Sequence, residues 1–392
     1  MTPRMHHPVV DVLVVGGGPG GLHAASRLAT EGVHVLVCEE HTTIGDPVHC
    51  TGILSAESFD EFDLPRGVML NALDSARFVS PNGTTVTHTT SSPLAYVIER
   101  GAFDRILAER ATKAGADVKT GARVSTLEFD SKGVSAIVGD TLVRARLVVL
   151  ACGANYALQR RLGLGLPHTY LHTAQRELPA ERLLDAELHF GRSTAPGGFA
   201  WAVPVLRPDG RYVRIGAMAS SDAPGCYVRM LASVADRWGV TADEAPPRQK
   251  ILPLGAIQRT YGNRLLAIGD AAGLVKPTTG GGIHYAVMSG SLAAEVAIDA
   301  LRRDRLDACA LSPYEIRWRQ QLADEFEAQH ELRNIVTRLS DSDINSLFEL
   351  AQTDGIMPIV RKTAQFNHHR HLIRALLKHP PARRILFRSL VG

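Results

Sequence analysis

Val9-Val10-Asp11-Val12-Leu13-Val14-Val15, followed by Gly16-Gly17-Gly18-Pro19-Gly20-Gly21, is a valine-rich run that ends in a glycine turn. A run of that kind is expected as a parallel strand buried on both faces. Residues 22–31 have helical spacing and 33–38 read as a second strand, which completes a βαβ unit. In Gly16-x-Gly18-x-x-Gly21, Gly16 permits the tight turn, Gly18 lets the backbone approach a pyrophosphate, and Gly21 lets helix and strand pack closely. Glu39 closes the second strand. A carboxylate there accepts hydrogen bonds from ribose hydroxyls and repels a 2′-phosphate, favouring FAD or NAD over NADP.

A second glycine cluster narrows that choice. Ala267-Ile268-Gly269-Asp270-Ala271-Ala272-Gly273 and then Gly280-Gly281-Gly282-Ile283 lie about 250 residues beyond the first turn, again after a strand and before a helix. Asp270 is placed to hold a ribityl chain while amides at the next helix start face a flavin ring. An NAD dehydrogenase needs no such second anchor, so the cofactor expected is FAD.

The chain has 392 residues, 45% of them apolar and 21% charged, which is ordinary globular composition with room for two or three domains. No apolar run approaches the ~18 residues of a bilayer span, and residues 1–8 lack the apolar core of a secretory signal. The protein is expected in the cytoplasm, or peripheral on the inner face of the membrane. Cys38, Cys50, Cys152, Cys226 and Cys309 include no C-x-x-C pair, which argues against a disulfide framework and a zinc site. No metal is expected. The net charge is +3, yet residues 355–392 carry eight Lys/Arg and no Asp or Glu, leaving 35 basic against 40 acidic residues elsewhere.

Further along, 100–115 has helical spacing, 116–129, 133–138 and 141–144 read as a small β meander, and 146–151 as another buried strand. Between 72 and 97, and again between 169 and 251, strand-like alternation with turn glycines and prolines replaces the βα rhythm, which resumes at 264–268 and 283–301. The fold class expected is α/β: a Rossmann-type FAD-binding domain (1–71, 98–168 and 252–300) with an interleaved antiparallel-sheet substrate domain (72–97 and 169–251) and a helical C-terminal region (301–392).

The N-terminal motif, Ala151-Cys152-Gly153-Ala154 and the Gly269-Asp270 segment together resemble the FAD-dependent para-hydroxybenzoate hydroxylase-like superfamily over roughly the first 300 residues. Two stretches resemble the geranylgeranyl reductase family within it. One is Gly45-Asp46-Pro47-Val48-His49-Cys50-Thr51-Gly52. The other is Pro196-Gly197-Gly198-Phe199-Ala200-Trp201-Ala202-Val203-Pro204, similar to that family's P-x-x-Y-x-W-x-F-P pattern with Phe199 for Tyr and Val203 for Phe. The first replacement removes a phenol hydroxyl. Carried over by position, the resemblance implies FAD contacts at Gly20, Glu39, Cys50, Thr51, Gly52, Arg100, Val124, Asp270, Gly281, Gly282 and Ile283. Arg100 suits a pyrophosphate on its own account, because its fork of donors matches phosphate oxygens.

The resemblance further implies reduction of isolated C=C bonds in a prenyl chain, on a lipid, a diphosphate or a quinone, with hydride from reduced flavin. An isolated alkene is poorly electrophilic, so a proton donor or exclusion of water is required. Cys50 is the candidate donor and His49 its relay; the alternatives are a cysteine packed on the ring and a histidine facing solvent. Phe199 and Trp201, two apart on a strand, face one side and suit an isoprenoid wall or a packed core. His284 follows the flavin-facing turn, either toward substrate or outward. The basic tail suits an anionic membrane surface, collecting a lipid through an apolar and a basic face, or else forms a solvated helical cap. Nothing accompanies that charge to suggest nucleic acid. The reductant is left open between NAD(P)H and ferredoxin. An aromatic monooxygenase on the same scaffold and a non-catalytic flavin-bearing electron-transfer or interaction module are the competing readings. A halogenase is disfavoured because no lysine lies between His41 and Arg100.

Overall fold

The computed structural model describes residues 9–241, 245–353 and 355–387; Arg388 and Leu390 of the basic tail lie outside them. Strands Asp117–Lys119, Val35–Cys38, Val9–Val15, Thr141–Leu150 and Leu265–Ala267 lie side by side in parallel. Val12, Leu13, Val14, Leu147, Val148, Val149 and Leu150 are 0% exposed, which is why these strands read as unbroken apolar runs. The 141–144 and 146–151 segments, separated in the sequence reading, are one ten-residue strand. Its first half pairs with Val134–Val138 in the small meander and its second half with Val9–Val15. One strand thus serves two pairings, and a change of burial pattern midway resembles a break.

The two glycine clusters are neighbours because two helices touch backbone to backbone. A Cβ on Gly20 would stand 2.6 Å from the carbonyl oxygen of Ala286, and one on Gly290 would stand 2.5 Å from that of Gly20. Helix Pro19–Thr30 therefore lies directly on helix Ile283–Arg302, and the starts of both open on one side of the sheet. Leu22, Ala24, Ala25 and Leu28 of the first helix are 0% exposed. Each such buried leucine contributes about 1.5–3 kcal/mol.

A second sheet of seven strands runs in the order Arg248–Leu254, Thr169–Pro179, Gly210–Ala219, Phe199–Arg207, Ala186–His189, Ser75–Val79, Thr85–Thr89. Its alternation sorts two faces. Ala174, Ala200, Ala202, Ile215 and Ala217 pack under helix Ala223–Trp238. Leu171, Trp201, Val203, Val205 and Met218 face the other way. The segment 72–97 is divided between sheets: Ser75–Val79 and Thr85–Thr89 join the seven-stranded sheet, while Met69–Leu73 and Ala95–Ile98 form a three-stranded sheet with Ile53–Ser55.

After Arg302 the described chain is helical, beginning with the long Ala308–Val336 helix, whose Asp307 cap accepts from the Ala310 amide. Tyr314 and Trp318 of that helix are buried against the parallel sheet, Tyr314 donating to the Ala267 carbonyl at 2.7 Å. In the later helices Ile373 is 1% and Leu386 4% exposed. Ile373 and Leu386 are buried and Leu377 is partly buried, so part of the tail's apolar face packs inward, and the exposed surface carries Arg361, Lys362, Arg374 and Lys378. Among the described residues no helix is long and apolar enough to cross a membrane.

Candidate active site

One cavity of about 1100 Å³ runs between the parallel sheet, the inner face of the seven-stranded sheet and the C-terminal helices. Its walls include every candidate residue read from the sequence: Gly16, Gly18, Gly20, Gly21, Glu39, His49, Cys50, Thr51, Gly52, Arg100, Val124, Phe199, Trp201, Asp270, Gly281, Gly282, Ile283 and His284.

The glycine turn is a cradle shaped by what its residues lack. Cβ atoms on Gly16 and Gly21 would stand 2.4 Å from the Ala151 and Gly16 carbonyl oxygens, so these two are closed by their own fold. Gly18 is different: a Cβ there meets nothing within 4 Å. Its open side faces the cavity and fits a pyrophosphate at the start of a helix. The Glu39 carboxylate accepts the Gly17 amide at 2.7 Å and the His41 amide at 3.0 Å, which fixes an acid beside the turn. Across the cavity Asp270 sits in a short turn after Leu265–Ala267, its carbonyl accepting from Tyr156 Oη at 2.5 Å. A Cβ on Gly282 would be 2.9 Å from Asp270 Oδ1, so the second glycine cluster closes directly onto this acid. Two glycine cradles, each with a carboxylate, fit a dinucleotide flavin held at both ends.

Cys50 stands where the cofactor grip meets the second sheet. Gly52 N donates to Cys50 Sγ at 3.3 Å, and the partly buried Arg100 guanidinium lies close enough for its charge to act on the same thiol. Burial opposes the Arg100 charge, but Asp104 and Cys50 outweigh it and hold its pKa above the ordinary value. The sequence reading takes Arg100 as a charge partner for the pyrophosphate; in the structure Asp104, one turn on in the same helix, binds it at 2.9 and 3.2 Å. Its charge is therefore already matched. His49 is half-buried with Nδ1 unpartnered, and burial followed by Lys250 and Arg248 pushes its pKa down. It lines the cavity.

Several residues of this junction escape a sequence reading. Arg214, 4% exposed, donates to the Thr51 carbonyl at 2.5 Å and to Glu177 Oε2 at 2.8 Å, and Thr51 Oγ1 donates to Gln175 Oε1 at 2.9 Å. The Cys50–Gly52 turn is thus tied to the second sheet by side chains more than a hundred residues away. Trp201 is 8% exposed, its Nε1 lacks a partner, and its ring lies against Gly216 and edge-on to Phe199 at 5.9 Å. With Val203, Met218 and Leu252 it forms an apolar wall.

His284 does not swing free toward the cavity. Its Nδ1 is 2.8 Å from Ser58 Oγ, its ring meets Phe62 and Tyr285 edge-on, and burial followed by Lys276 pushes its pKa down to about 3. The second residue of a helix can point inward when, as here, a neighbouring short helix, Ala56–Glu61, offers it a partner. The far wall belongs to the C-terminal segment: Val360, Phe366, Asn367, His369 and Leu372 line the cavity. Only its alternation of apolar and basic residues signals that one face turns inward.

The two joined sheets and the double glycine cradle define an FAD-dependent oxidoreductase with a para-hydroxybenzoate hydroxylase-like fold. Residues 9–178 match the family model described as an FAD binding domain. A digeranylgeranylglycerophospholipid reductase of Methanocaldococcus jannaschii is 32% identical over 373 residues, spanning 90% of this chain and 94% of that protein. A second such reductase, of Methanothermobacter thermautotrophicus, is 31% identical over 96% of this chain and 98% of its own length. The chain belongs to the geranylgeranyl reductase family of FAD-dependent oxidoreductases. Among solved structures, a geranylgeranyl bacteriochlorophyll reductase-like protein of Thermoplasma acidophilum superposes with a TM-score of 0.83 at 24% identity, covering 98% of this chain and all of that one. The halogenase PltM, solved with phloroglucinol and FAD, superposes at 0.68 with 16% identity, covering 96% and 85%, and shares the fold.

Proposed function

We propose that this protein reduces isolated C=C bonds in the prenyl chains of a polar lipid. The observation that carries the reading is one continuous cavity that joins the double glycine cradle to the Phe199–Trp201–Val203–Met218 wall, with Cys50 at the junction. The relatives named for a digeranylgeranylglycerophospholipid support a glycerophospholipid with geranylgeranyl chains as the substrate class.

Gly16, Gly18, Gly20 and Gly21 hold the pyrophosphate, Glu39 the adenosine ribose, and Asp270 with Gly281, Gly282 and Ile283 the ribityl and ring end. Bound and reduced, FAD supplies the hydride. The Trp201 wall orients the chain and excludes water, so that an addition too unfavourable in water can proceed. Cys50 Sγ gives the proton to the other alkene carbon. The Gly52 amide, which donates to that sulfur, and the nearby Arg100 charge hold the charge left on it. His49, with Nδ1 free, returns the proton. The basic surface of 361–384 gathers an anionic lipid surface around the cavity mouth.

The test is anaerobic incubation of the dithionite-reduced holoenzyme with prenyl lipids and mass spectrometry for added hydrogen pairs. Cys50→Ala is expected to lower product formation by about 10²-fold or more while FAD binding persists, as for loss of a proton donor. Unchanged turnover in Cys50→Ala would remove Cys50 from the reaction. Absence of product from every prenyl lipid, together with substrate-dependent oxygen consumption, would replace the reading by a monooxygenase.

A further inference from the structure

Lys276 is a buried lysine whose Nζ is bonded to a carbonyl and not to a carboxylate. It is 3% exposed, its stem packs under the second glycine turn, with Cδ 3.4 Å from a Cβ placed on Gly281, and it lines the cavity. Its backbone ties the turn, Lys276 N donating to the Gly281 carbonyl at 3.1 Å and the Gly280 amide to the Lys276 carbonyl at 2.9 Å. Nζ donates to the Phe366 carbonyl at 2.6 Å and sits 4.3 Å from the centre of the Phe366 ring. Neither partner is an anion, and burying a charge without one is costly.

The titratable groups packed around it are occupied or neutral. Glu57 Oε1 accepts from Asn367 Nδ2 at 2.6 Å, and Glu325 Oε1 accepts from the His369 amide and Gln329 Nε2. Both carboxylates act on Lys276 only through space, opposing the burial that pushes its pKa down to about 7. His284 and His369 are driven to about 3 and 4 by burial and then by Lys276, and His368 adds to the pressure on both. The pocket therefore holds Lys276, two neutral imidazoles, and two carboxylates already engaged by other donors.

We propose that Lys276 is the countercharge for the negative charge that bound FAD acquires on reduction, so that it favours the reduced form and sets the reduction potential. Two electrons from a reductant and one proton from solvent leave a single negative charge on the ring, and the Lys276 ammonium balances it with no bond made or broken at the lysine. The assignment rests on the proposed seating of the ring end against Gly281–Ile283. A phosphate of the substrate is the other anion that could answer this cation. The exposed Arg361, Lys362 and Arg374 meet such a phosphate without burying it, which leaves Lys276 to the cofactor.

The test is spectroelectrochemical titration of the holoenzyme without lipid, for wild type, Lys276→Met, Lys276→Gln and Lys276→Arg. Lys276→Met and Lys276→Gln are expected to bind oxidised FAD like wild type, while the affinity ratio of reduced to oxidised FAD falls about tenfold or more, a drop of about 30 mV for a two-electron couple. Lys276→Arg keeps most of the wild-type potential. A ratio changed less than twofold in both neutral variants overturns the assignment. So does an unchanged potential combined with selective loss of binding to a phosphate-bearing prenyl lipid over the corresponding prenyl alcohol, which moves Lys276 to the substrate. Prenyl reduction is assayed separately: a shifted potential in a protein that reduces no prenyl lipid sustains the role of Lys276 and sinks the proposed reaction.

Discussion

At the Gly16–Gly21 end the cavity wall is main chain, brought close because side chains are absent. At the Lys276 end it carries the ionisable side chains Lys276, His284 and His369, backed by Glu57 of the Ala56–Glu61 helix and Glu325 of the long Ala308–Val336 helix. The first end depends on backbone shape that one short sequence dictates. The second depends on burial, and burial exists only once distant segments have met. At the first, the fold's own carbonyls bar added atoms at Gly16, Gly20 and Gly21, while at the second the placement of charge matters most.

The largest effect that can break this contrast lies in the first turn. Gly16 has φ +109° and a Cβ there would be 2.4 Å from the Ala151 carbonyl oxygen. Gly16→Ala is expected to cost about 3 kcal/mol or more through strain and overpacking, read by denaturant unfolding without FAD. Gly18→Ala has space around it, so its stability without FAD should stay within about 0.5 kcal/mol of wild type while FAD affinity falls. Wild-type FAD affinity in Gly18→Ala would show that the pyrophosphate lies elsewhere.

A middle-sized effect belongs to the other end. Asn367, 1% exposed, donates to Ser55 Oγ at 2.7 Å and to Glu57 Oε1, and its carbonyl accepts from Tyr285 Oη at 2.8 Å. Asn367→Ala removes the two side-chain bonds and leaves their acceptors short of a donor, at about 1–3 kcal/mol. Stability should drop with FAD affinity preserved, the reverse of Gly18→Ala. Parallel losses in both would mean that the two ends are one cooperative unit.

A further effect is in pH. His23, His284 and His369 have folded pKa values of about 4, 3 and 4, below the ordinary 6.5, with burial the largest cause in each. The unfolded chain binds more protons over that range, so stability is fully present above pH 6.5 and declines as pH falls through it. Urea midpoints measured from pH 7 to about 5, above the carboxylate range, should decrease steadily, and His284→Gln should flatten the curve. A flat wild-type profile would show that these imidazoles take up protons in the folded protein as readily as in the unfolded chain.

The contrast also explains which parts of the molecule a sequence reading reaches. The βαβ start, both glycine clusters, Glu39, Asp270, and the facing of Phe199 with Trp201 follow from local spacing, and the structure brings them to one cavity. Two strands merged into Thr141–Leu150 because one strand pairs with different partners along its length, which periodicity does not register. Arg100 pairs with Asp104 four residues on, an i,i+4 contact that the helix brings together. Lys276 stood in plain view between Val275 and Pro277, a charge in an apolar stretch, yet nothing local indicates whether such a lysine is buried.

By itself the sequence determined the βαβ cradle, its FAD and the family, because glycine spacing and strand periodicity are properties of short segments. Tertiary structure decided what the electrostatics of the cavity would be. Arg214 reaches Thr51 across the sheet, His284 turns inward to Ser58, and the 366–370 loop closes over Lys276. The physical reason is that the effective charge of an ionisable group depends on its distance from water and from other charges, and folding sets both.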